Sequence, residues 1–126
     1  MIIEDYVSFE TTKLLKEKGF NTPLLTFYVT DKEKKEGNFQ TMYFGDDAID
    51  NNHSELCFIA PTQAMAMKWL REVHGLFIRI TENMAGNVFE WSVYQKNYGC
   101  RASMYVENSY EQACESAISY CLKSLI

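Results

Sequence analysis

The sequence predicts an α+β fold: an antiparallel sheet of about five strands with three helices packed on one face, in the order α-β-β-α-β-β-β-α. Three observations predict it. Three amphipathic segments carry helix-capping signals. Between them lie aromatic and β-branched runs that alternate inward and outward positions. The links between successive strands are short, which favours antiparallel pairing, because parallel strands need long crossovers.

The first helix is predicted over residues 5–18. Val7, Thr11, Leu14, Leu15 and the stem of Lys18 form its inward stripe, and Gly19 suits the left-handed position that ends a helix. Residues 24–30 then read as a strand, with Leu25, Phe27 and Val29 on one face and Thr26, Tyr28 and Thr30 on the other. A charged hairpin loop over 31–38 leads to a second strand over 39–44. Residues 45–54 are the longest irregular stretch, and 56–59 is a short apolar run, either a strand or a buried segment. Pro61 opens the second helix, whose core face is Ala66, Trp69, Leu70 and Val73, widened by Met65 and Met67; Gly75 closes it.

Three strands follow. Leu76, Ile78 and Ile80 alternate with Phe77, Arg79 and Thr81; Phe89, Trp91 and Val93 alternate with Glu90, Ser92 and Tyr94; residues 100–106 make the last. The final helix begins at Tyr110, and Ser109 with Gln112 three residues on forms a capping box. Its apolar stripe includes Ala113, Cys114, Ala117, Ile118, Cys121 and Leu122. Both earlier helices end at a glycine and lead into a strand, which raises an internal duplication beside the plainer explanation of generic capping.

At 126 residues the chain reads as a single domain able to bury one core. Its net charge of −5, without a basic block, disfavours nonspecific nucleic-acid binding, which depends on phosphate neutralisation. The N-terminus lacks a basic-then-apolar leader, and no apolar run approaches the ~18 residues of a membrane span. These features predict a cytoplasmic protein away from membranes. Cys57, Cys100, Cys114 and Cys121 include no CxxC pair, and two helical turns separate Cys114 from Cys121, about 10 Å. Free thiols are expected.

No phosphate loop, nucleophile elbow or zinc spacing occurs, so no cofactor and no metal is predicted. The acidic loop 46–55 holds Asp46, Asp47, Asp50, Asn52, His53 and Glu55. It fails the calcium-loop template, with Glu55 where a glycine belongs and Pro61 where the closing glutamate belongs. His74, in the last turn of the second helix, suits a charged cap on the helix dipole.

The outward face of the sheet carries the functional prediction. With the aliphatic positions turned to the helices, Tyr28, Phe77 and Tyr94 emerge on the opposite side, joined by Tyr43 and by Arg79. Such an aromatic face predicts a non-enzymatic interaction domain, whose partner is another protein or a second copy of the chain. The alternatives are a small-ligand or metal-dependent enzyme using loop 46–55 and a histidine, and a single-stranded nucleic-acid binder stacking bases on the aromatics.

Three segments, IEDYVSFETTKLLKEKGF, APTQAMAMKWLREVHG and SYEQACESAISYCLKSLI, resemble a group of small uncharacterised phage-like or prophage-associated proteins of gut anaerobic bacteria. The resemblance covers the three helices. It implies a cytoplasmic accessory protein of a mobile element and brings no reaction with it.

Overall fold

The computed structural model describes residues 4–42, 47–83 and 85–126, with Met104 described by its backbone alone. The protein is α+β, with two three-stranded antiparallel sheets. The chain divides into two compact units, Met1–Thr62 and Gln63–Ile126.

The first unit holds α1 (Phe9–Glu17), β1 (Thr26–Val29), β2 (Asn38–Thr41) and β3 (Cys57–Ile59). The apolar periodicity runs back to Val7, but the helix starts later, because the Ser8 hydroxyl accepts the Thr11 N–H at 3.2 Å and caps it. Val7 lies outside the helix, buried, with its N–H donating to the Pro61 carbonyl. At the other end Gly19 turns left-handed at φ 92°. The sheet order is β2-β1-β3, so the apolar run at 57–59 is a sixth strand. It pairs with β1 and completes a separate sheet, where hydrophobic alternation alone predicts one continuous sheet. Alternation marks strands without naming their neighbours.

Asn51 locks the long loop onto this unit. Its side-chain Nδ2 donates to the Phe20 carbonyl at 2.7 Å, and its Oδ1 accepts the Ile59 N–H at 3.0 Å. Its own N–H donates to Asn21 Oδ1 at 2.7 Å. The carboxamide thus satisfies two backbone groups that the strand ladder leaves open. Lys16 adds a second tie: Nζ donates to the Ser54 and Cys57 carbonyls at 2.9 and 3.1 Å, over the Phe58 ring.

The second unit holds α2 (Gln63–His74), β4 (Leu76–Asn83), β5 (Val88–Gln95), β6 (Gly99–Glu107) and α3 (Tyr110–Tyr120), which continues as a π-helical turn over Cys121–Leu125. The Ser109 hydroxyl accepts the Gln112 N–H at 3.1 Å, the cap its sequence signals. The sheet order is β4-β5-β6. Helix α3 packs on all three strands, and α2 packs on β4 and α3. Ala66, Leu70, Leu76, Trp91, Val93 and Ile118 are buried in this core, while Val73 is 60 % exposed and does not join it. Each fully buried Leu, Ile or Val side chain contributes about 1.5–3 kcal/mol. The first strand is central in one sheet and outermost in the other, so the two units do not repeat one topology.

Candidate interaction surface

The register of β4 against β5 sets the geometry of the candidate surface. Phe77 pairs directly with Tyr94, Arg79 with Ser92 and Thr81 with Glu90; the intervening pairs are Ile78 with Val93 and Ile80 with Trp91. Because side chains alternate along a strand, the second set turns inward, where Val93 and Trp91 are buried, and the first set turns outward. Phe77 is 43 % exposed. The Arg79 guanidinium lies over the Tyr94 ring, 5.1 Å from its centroid. Such a contact holds the cation flat on the aromatic face. On the neighbouring rows Asn83 Nδ2 donates to Glu90 Oε1 at 3.1 Å. Strand β6 widens the surface with Cys100, opposite Tyr94, and Val106, opposite Glu90; both are exposed. The structure thus brings Phe77, Arg79 and Tyr94 together on one face.

Tyr28 lies in the other sheet, paired with Phe39 and Phe58. Its ring meets Phe9 of α1 at 5.7 Å between centroids, and its hydroxyl donates to the Val7 carbonyl at 2.9 Å. Tyr28 therefore faces the helix, on the side opposite to the expected one. A phenol whose hydroxyl reaches a backbone carbonyl is satisfied inside, and that sets the parity of this short strand. Tyr43 lies outside the described residues, as does Asp46.

In the acidic loop, Asp47, Asp50 and His53 line an open cleft of about 360 Å³ with Pro23 and Asn52. Asp50 is engaged locally: its Oδ1 accepts the Asn52 N–H at 2.9 Å, and its carbonyl accepts the His53 N–H at 3.2 Å. Among the described residues no group of three His, Cys, Asp or Glu side chains is placed to hold a metal ion.

His74 departs from the expected charged cap. Its ring stands edge-on to Trp69, centroids 4.7 Å apart, and Nε2 is buried without a hydrogen-bond partner among the described residues. Burial holds its pKa below the usual imidazole value. Lys16 is also lowered, first by burial and then by the nearby Lys34 ammonium. Cys57, Cys100 and Cys121 carry free thiols, and burial pushes the Cys121 thiol up to about 12.

No family model, no curated protein and no solved structure matches this chain. Among the described residues no helix is long and apolar enough to cross a membrane. Sequence reasoning missed Val106 and Cys100 as members of the surface. The pairing of β6 with β5 places them there, and an irregular register hides that placement from simple alternation.

Proposed function

We propose that the chain is a non-enzymatic protein-interaction domain that works through the outward face of the β4-β5-β6 sheet. One observation carries this reading: Phe77 and Tyr94 are paired across two strands, with Arg79 laid on Tyr94, on the face turned away from the core. Aromatics and arginine are the side chains most enriched in protein interfaces.

Photo-crosslinking tests the proposal. A benzophenone amino acid is placed at Phe77, and in parallel at Lys68 on α2 as a control, and the cells are irradiated. Protein adducts formed from position 77 and absent from position 68 are expected. No adduct at 77, or equal adducts at both, refutes the reading.

A further inference from the structure

Resting on that reading, we infer that the partner is a second copy of the chain, docked face to face about a two-fold axis in the interface, with Arg79 of each copy against Glu90 of the other. The argument begins with charge. The chain carries −5 overall, yet the outward positions of β4 and β5 hold one cation, Arg79, and one anion, Glu90. A surface built for a strongly charged partner carries predominantly one sign. The β4–β5 part of this face is neutral and two-ended, and its complement is another neutral, two-ended surface.

The same chain supplies that complement. Arg79 pairs with Ser92 and Glu90 with Thr81, so the two charges sit on adjacent strands in successive outward rows. Strand spacing and rise place their Cα atoms about 8 Å apart. A two-fold axis lying in the interface and crossing the strands midway between these rows exchanges them. It brings Arg79 within side-chain reach of the other copy's Glu90, and an isologous interface makes that contact twice. The same operation lays the Phe77–Tyr94 row over the partner copy's Asn83–Val88 row, so aromatic surface meets a mixed apolar and amide surface and not a second guanidinium.

Size sets the strength. Three strands about eight residues long present a footprint of roughly 400 Å² per copy, about half the ~800 Å² per partner of a standard stable interface. The dimer is accordingly weak and reversible, with a dissociation constant on the order of 10–1000 µM.

Sedimentation equilibrium and concentration-dependent amide chemical shifts, from about 10 µM to 1 mM, test the inference across that range. The wild-type chain is expected to dimerise, with shifts concentrated on the outward residues of β4 and β5. Arg79→Glu and Glu90→Arg each turn two attractive contacts into two repulsive ones and weaken the dimer about tenfold. The double reversal restores it. Far-UV circular dichroism checks folding, and Arg79→Gln with Glu90→Gln serve if a reversal unfolds the chain; each then weakens the dimer about threefold. A monomer throughout the range overturns the inference, as does a double variant no tighter than the singles. If the chain is monomeric but position 77 still crosslinks to a different protein, the second-copy inference fails and the interaction reading stands. If position 77 crosslinks to nothing, both fail.

Discussion

Replacing Asn51 with alanine should be among the most destabilising single changes in the first unit. Asn51 is 7 % exposed, and its carboxamide serves the Phe20 carbonyl and the Ile59 N–H, two backbone groups of residues that are themselves 2 % and 1 % exposed. Asn51→Ala leaves both groups unsatisfied. Each orphan costs about 1–3 kcal/mol, so the loss should fall near 2–6 kcal/mol. Asn51→Asp separates the two bonds. An ionised carboxylate still accepts from Ile59, but it sets a second oxygen against the Phe20 carbonyl and is buried with its charge. At neutral pH it should be at least as damaging as alanine. Burial beside a carbonyl raises the carboxyl pKa in the folded state above its unfolded value of about 3.9. The protonated acid is then the form the fold prefers, and it can donate to Phe20. The stability gap between Asn51→Asp and wild type should therefore narrow as pH falls below neutrality through the raised folded value. Urea denaturation followed by far-UV circular dichroism gives the free energies, and hydrogen exchange of the Ile59 amide reports the local bond. A loss under 1 kcal/mol for Asn51→Ala, or an Asn51→Asp deficit that does not change with pH, would refute the reasoning.

Other outcomes follow from local geometry. A methyl group at Gly37 would sit 2.4–2.9 Å from the Phe9 ring, itself 8 % exposed, so Gly37→Ala should lower stability by about 1–3 kcal/mol in a urea melt. His74 has a folded pKa below its unfolded 6.5, so its contribution is complete above pH 6.5 and is lost as pH falls below it. His74→Phe should flatten that part of the stability-against-pH curve, and an unchanged acid limb would show that other groups drive it. Ellman's reagent should label Cys100 first in the native protein, with Cys114 and Cys121 reacting only on unfolding; rapid native labelling of Cys121 would contradict its burial and its raised pKa.

The second unit was the more legible of the two. Its strands β4 and β5 run eight residues each, long enough for Leu76, Ile78 and Ile80 to contrast with Phe77, Arg79 and Thr81, and the inward set follows directly from that contrast. Ser109 and Gln112 marked the start of α3 through a purely local bond. The first unit was harder for physical reasons. β1 has four residues, and Phe27 and Tyr28 put an aromatic on each face, so polarity does not distinguish inside from outside. The decision rests on a hydroxyl reaching the Val7 carbonyl, 21 residues away in sequence. Asn51 was illegible for the same reason. It stands in a run of polar loop residues, and its bonds reach 31 residues back and 8 forward. The candidate surface was half readable: Phe77, Arg79 and Tyr94 came from alternation, while the contribution of β6 came only with its pairing.

The outermost strand β6 departs from regular pairing with β5 at two places, between Trp91 and Val93 and between Val93 and Tyr94. Such irregularities twist and kink the backbone, so the amide and carbonyl groups along the free rim no longer form an even comb. A foreign strand arriving there can match only a few of them before falling out of step. This rim is therefore a poor template for the endless stacking that turns β-rich chains into fibrils.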